Sequence, residues 1–200
     1  MVLIKDFLWP LVIIFGAYRG AGKDKLLSLS DYLRRKGIRA YTCEEHASSH
    51  CPREEEESQK AYNKHASFYC VETCDIAIFV FFRGITIAVD TNLESLDQGP
   101  VIEFAHLCHL GRKIPLQLIF DSQSRAKSVS SIFSGLLQTS LCQEYVDQKV
   151  VERNSAEEVI EAIKRGVLGF CLSEYADYAR RTVVEPIKLL RLFHLGKEEN

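Results

Sequence analysis

The sequence predicts an α/β fold in which a mostly parallel sheet carries helices on both faces. Short continuous apolar runs suit strands covered on both sides, and segments of helical apolar spacing alternate with them. Glycine and proline punctuate the junctions, so strand, turn and helix follow one another as in right-handed crossover units.

The first run, Leu11-Val-Ile-Ile-Phe15, ends at Gly16 and leads through Ala17-Tyr-Arg-Gly-Ala-Gly22 into a helix over 23–36, with Leu26, Leu29 and Leu33 on one face and Gly37 as its stop. Residues 38–42 fit a second strand. The polar stretch 43–58 reads as a solvated connection ending in four consecutive glutamates, and a helix is expected over 55–73. Residues 75–82 form the strongest strand pattern and should be central. Residues 85–89 suit either a hairpin arm or an irregular loop. A helix with Pro100 in its first turn runs to Leu110 and is closed by Gly111, and 114–120 is the next strand. A helix near 128–137, a strand near 144–151 and a helix over 156–165, capped by Ser155, complete the alternation. The division is therefore an α/β domain over 1–166 and a helical extension over 167–200, suited to packing or oligomer formation.

Two hundred residues allow one core of ordinary size. The chain is 46% hydrophobic and 26% charged, with a formal net charge of -2, which excludes a basic nucleic-acid footprint and points to a small partner. The apolar stretch 7–15 contains Pro10 and falls short of the roughly 20 residues that cross a bilayer, so no membrane is expected. It also lacks the basic leader and small-residue cleavage site of a secretory signal. Seven cysteines are an odd number, and Cys74 and Cys108 lie in segments that read as buried; a disulfide framework is not expected, and the cytoplasm is the expected compartment.

In parallel sheets ligands bind beyond the carboxyl ends of the strands, which directs attention to three loops: 16–23, 83–99 and 121–128. The first resembles a phosphate cradle, with Gly16, Gly20, Arg19 and Lys23 as anion-binding candidates. It fails as a Walker loop, because Ala17 stands where the first glycine belongs and Asp24 where a hydroxyl must bind Mg²⁺. The second loop leads into Asp97-Gln-Gly-Pro-Val-Ile-Glu103. Here Gly99 lets a ligand approach two carboxylates, a pairing suited to sugar chemistry in which one attacks an anomeric carbon. A capped helix with an acidic first turn would use the same residues. Cys43, His46, His50, Cys51, Cys70 and Cys74 form a further set that either binds zinc or supplies buried thiols and loop histidines; their spacing matches no standard finger. His106 and His109 share a helix face and read as surface residues.

Taken together, Ile14 to Asp24, Asp97 to Glu103 with Leu110-Gly-Arg-Lys113, and Gln123-Ser-Arg125 with Ser130 and Gly135 resemble the nucleoside 2-deoxyribosyltransferase superfamily, including its 2′-deoxynucleoside 5′-phosphate N-hydrolase branch. The resemblance spans about Leu11 to Gly135 and implies a flavodoxin- or Rossmann-like fold. It implies an enzyme that breaks the N-glycosidic bond of a nucleoside or nucleoside 5′-phosphate, by hydrolysis or transfer, without metal or organic cofactor. Glu103 takes the nucleophile's place, Asp97 that of the residue holding the sugar's 5′-hydroxyl, and Ser130 that of a serine lent to the phosphate of a neighbouring subunit, so a homodimer or higher homo-oligomer is expected. The chain departs from the pattern at three points. Ile13 and Ile14 replace the first strand's aromatic hydroxyl, for which Tyr18 is the substitute; His65-Ala-Ser-Phe-Tyr69 stands where a further aspartate is usual; and Val101 replaces a glycine. These departures keep two other classes open: a nucleotide-binding sensor without turnover, and an enzyme that cleaves a dinucleotide such as NAD at the nicotinamide ribose.

Overall fold

The computed structural model describes residues 9–16, 21–53, 57–81, 98–120, 146–150 and 156–186. Five strands make one sheet: β1 (Val12–Gly16), β2 (Ala40–Thr42), β3 (Ile76–Phe81), β4 (Leu116–Phe120) and β5 (Val146–Val150). Their order is β2-β1-β3-β4-β5, and every neighbouring pair is parallel. The predicted mostly parallel sheet is present, and β3 is its centre. In register, Gly16 lies opposite Val80 and Phe81 opposite Phe120.

The side-chain period of two divides each strand between two layers. Val12, Ile14, Ile76, Ile78, Val80 and Ile119 face α1 (Ala21–Arg35) and α5 (Ala156–Ala179), which contribute Leu26, Leu29, Leu33, Ile163, Val167, Cys171 and Tyr175. Ile13, Phe15, Ala77, Phe79, Phe81, Leu116, Leu118 and Phe120 face α2 (Cys43–His50), α3 (Gln59–Thr73) and α4 (Gln98–His109). Helices on both faces close the doubly wound α/β architecture.

Two elements differ from the sequence reading. Residues 43–50 are helical because Thr42 and Glu45 form a reciprocal capping box: Glu45 N–H donates to Thr42 Oγ1 at 3.2 Å and Thr42 N–H donates to the Glu45 carboxylate at 2.8 Å. The last helix does not stop at Arg165 but continues to Ala179, through the expected boundary at 166/167. Gly166 and Gly169 each cost a helix about 1 kcal/mol. Burial of Ile163, Val167, Cys171 and Tyr175, four residues apart in succession, outweighs that cost. The Tyr175 hydroxyl donates to Pro10 O at 2.7 Å and accepts from Arg39 N–H at 2.8 Å, which ties this helix to the amino-terminal edge of the sheet. A π-helical turn, Arg180–Val184, follows. The segments 85–89 and 128–137 lie outside the described residues, and among the described residues no helix is long and apolar enough to cross a membrane.

Candidate active site

A parallel sheet directs all its carboxyl ends to one edge, and in the order 2-1-3-4-5 the crevice opens between β1 and β3, where successive crossovers diverge. Helix α4 starts at that edge and packs on β1, β3 and α3. Glu103, its sixth residue, is only 4% exposed and lies beside Phe104, whose ring meets Phe79 edge-on at 5.4 Å. A carboxylate at such a depth requires donors, since an unpaired buried charge is costly. Ser67 of α3 donates its hydroxyl proton to Glu103 Oε1 at 2.8 Å, and the Cys43 thiol reaches the same oxygen at 3.9 Å.

The placement of these donors follows from local structure. Cys43 is the first residue of α2, directly beyond the carboxyl end of β2, and the capping box fixes where that helix begins. Glu45 adds a bond from Ser30 at 3.0 Å and an ion pair with Arg34 at 2.9 Å; although burial opposes it, these contacts and the Thr42 N–H hold the Glu45 carboxyl below its usual range. Helix α3 is clamped to α4. The Phe68 ring stacks on His106 at 4.0 Å, His106 Nε2 lies 3.2 Å from Glu72, and Arg112 donates to Val71 O and Cys74 O at the end of α3. His106, expected on the surface, is therefore an interhelical contact, while His109 is exposed. Hydrogen bonding with the Cys70 thiol, burial and the charge of Glu103 push the Cys43 thiol well above its usual range, so it keeps its proton and acts as a donor.

A cavity of about 450 Å³ opens between α2 and α3, with Cys43 and Ser67 on its wall beside Ala47, Tyr62, Asn63 and Ala66. Ser67 and Cys43 thus touch both the buried carboxylate and a space large enough for a small ligand.

Of the sequence-predicted site residues, the structure describes four. Glu103 is buried in α4 against Ser67 and Cys43. Gly16 ends β1, and a Cβ there would lie 2.9 Å from both Leu26 methyls and 3.1 Å from Val80 O, so a larger residue would have to displace Leu26 of α1. Lys23, in the first turn of α1, pairs with Glu44 at 2.8 Å, and Glu44 borders the cavity. Gly99 is exposed at the start of α4, with no neighbour among the described residues within 4 Å of an added Cβ. Tyr18, Arg19, Gly20, Asp97 and Ser130 lie outside the described residues. The sequence reading missed the Ser67 and Cys43 contacts with Glu103; the Thr42-Cys-Glu-Glu45 capping signature could have located Cys43 at a helix start.

Among the described residues no three His, Cys, Asp or Glu side chains are gathered so as to hold a metal ion. Cys70 donates to Cys43 O at 3.2 Å, and burial pushes the Cys74 thiol up to about 12. His46 stacks between His50 and Tyr69, and burial, with the charges of His50 and Arg39, lowers it to about 4. Cys70, Cys74 and His46 pack inside the layer between α2, α3 and the sheet.

Fold and site together define a doubly wound parallel α/β protein with a buried, hydrogen-bonded glutamate at the carboxyl edge of its sheet. No family model matches the chain, and no curated protein does. Among solved structures it is similar to a CMP N-glycosidase from Clostridium botulinum, at 14% identity and a TM-score of 0.44, over 78% of this chain and 98% of that one. It is also similar to a 2-deoxyribosyltransferase from Bacillus psychrosaccharolyticus, at 15% identity and 0.39 over 56% and 73%, and to a flavodiiron protein from Giardia intestinalis, at 12% and 0.44 over 88% and 39%.

Proposed function

We propose that the chain is an N-glycosidic-bond enzyme, a hydrolase or deoxyribosyltransferase acting on a nucleoside or nucleoside 5′-phosphate, with Glu103 as nucleophile. The observation that carries this reading is a carboxylate 4% exposed, held by a serine hydroxyl at the carboxyl edge of a doubly wound sheet and next to a cavity of about 450 Å³. Buried carboxylates without a task are uncommon because hydrophobic residues of the same volume would stabilise the core more. In the reaction, an oxygen of Glu103 forms a bond to C1′ while the C1′–N bond breaks and its electron pair leaves with the base, which takes up a proton. Water, or a second base, then cleaves the glycosyl ester and regenerates the carboxylate. No metal or organic cofactor enters this scheme. Asp97, Tyr18, Arg19, Gly20, Gly99 and Lys23 are proposed to complete the sugar and phosphate contacts, and a partner subunit in a homodimer to supply Ser130.

Base release from a panel of nucleosides, nucleoside 5′-monophosphates and NAD tests the reading. Glu103→Gln should lower release from the accepted substrate at least about a thousandfold while circular dichroism and ligand binding stay unchanged, since the amide keeps the volume and loses the nucleophile. Mass spectrometry of the quenched wild-type enzyme should show a ribosyl adduct on Glu103. Full activity in the amide variant would overturn the assignment.

A specific observation favours a second reading, a nucleotide-binding module without turnover. The described residues bring to Glu103 a hydroxyl and a thiol, and neither gives up a proton readily to a leaving base at neutral pH. Ligand binding with no base release across the whole panel would decide for that module.

A further inference from the structure

We propose that Ser67 is a positioning residue for Glu103, setting the orientation of the carboxylate for attack, with the Cys43 thiol in a supporting part; the inference rests on reading Glu103 as the nucleophile. A serine has one hydroxyl proton to donate. Within a helix that proton usually turns back to a carbonyl one turn earlier, as Thr73 of the same helix does with Tyr69 O at 2.7 Å. Ser67 instead directs it across to α4 and Glu103 Oε1 at 2.8 Å. Its target is 36 residues away in sequence, so the bond joins two elements rather than stabilising one helix.

Orientation matters because glutamate has several freely rotating bonds, and a carboxylate that samples many directions is seldom aimed at C1′. Ser67 and Cys43 approach the same oxygen from two different helices, which holds that oxygen in place and narrows the directions the carboxylate can take. The donors themselves are held: α3 by the Phe68–His106 stack and the Arg112 bonds, α2 by its capping box. When the ester forms, the oxygen that Ser67 holds remains as its carbonyl, so the same hydroxyl continues to donate through the step. Ser67 also lines the cavity between α2 and α3.

The pair Ser67→Thr and Ser67→Val tests the inference, because the two side chains share a shape and differ in the hydroxyl. With the substrate accepted in the base-release panel, S67T should keep kcat within about threefold of wild type, whereas S67V should lose about 10- to 100-fold in kcat with KM unchanged within about twofold. S67V leaves the buried carboxylate short of a donor and should unfold a few degrees below S67T, so both are assayed well below their midpoints, where a loss confined to kcat and rescued by the hydroxyl of S67T is more than a structural role would give. Equal kcat values for S67T and S67V, with Glu103→Gln inactive, would overturn the role of Ser67 and leave the nucleophile standing. An active Glu103→Gln would overturn the nucleophile and the positioning role with it.

Discussion

The two faces of the sheet are built from different residues. Towards α1 and α5 the strands present Val12, Ile14, Ile76, Ile78, Val80 and Ile119, and the helices answer mainly with leucines, valine and isoleucine, with Cys171 and Tyr175 towards the end of α5. Towards α2, α3 and α4 they present Phe15, Phe79, Phe81 and Phe120, stacked in pairs at 4.6 and 5.0 Å, and the helices bring thiols, His46 and Glu103. An aliphatic layer gains stability by filling volume without polar demands. The aromatic and thiol layer accommodates a carboxylate because its rim supplies donors. On the proposed role of Glu103, the difference assigns stability mainly to one face and chemistry to the other.

The sharpest way to break that division is Leu29→Ala. Leu29 is fully buried on the aliphatic face, and truncation there should cost about 2–5 kcal/mol in urea unfolding. The folded fraction should keep the kcat of wild type. A large fall in kcat with stability preserved would mean that the faces are not separable.

The chemical face should show its character in pH dependence. Burial, aided by His50 and Arg39, depresses His46 from 6.5 to about 4 in the folded state. Between those values the unfolded chain binds a proton that the folded chain refuses, so stability falls as pH drops from about 6.5 towards 4, by up to about 3 kcal/mol, and is unaffected above 6.5. Denaturant titrations should show this slope in wild type and a flatter one in His46→Phe, whose ring keeps the stacking on Tyr69. An unchanged slope would remove His46 from the account.

How much of this the sequence discloses depends on the range of the interactions. The strands were legible because alternation within Ile76-Ala-Ile-Phe-Val-Phe81 divides large aromatic from aliphatic side chains, a local pattern. Spacing to Asp97 and Gly99 suited a capped helix equally well, and the resemblance singled out Glu103; its 4% exposure was not legible at all. Helix α2 was missed because residues 43–58 read as one polar connection until Thr42 is recognised as a cap. The end of α5 was misplaced because glycine is a local stop signal, while the burial that overrides it comes from α1 and the sheet. Ser67 and Cys43 could not be joined to Glu103 from sequence, being 36 and 60 residues away with no periodicity connecting them.

The smallest expected effect on stability comes from Gly99→Ala, and it separates the two faces in the opposite sense from Leu29→Ala. Gly99 is the second residue of α4, exposed, and none of the described residues would touch its added methyl. On folding grounds alanine is the better residue, because it restricts the unfolded chain and favours the helix, by a few tenths to about 1 kcal/mol. The glycine therefore forgoes stability at the start of the helix that carries Glu103. If a ligand must approach that bare backbone on its way to the carboxylate, an added methyl occupies its space. The variant should unfold at a slightly higher temperature and yet show KM raised several-fold for the substrate that Glu103 acts on. Higher stability with KM unchanged would make Gly99 a helix-start residue only, and would shift the ligand's path towards the cavity between α2 and α3.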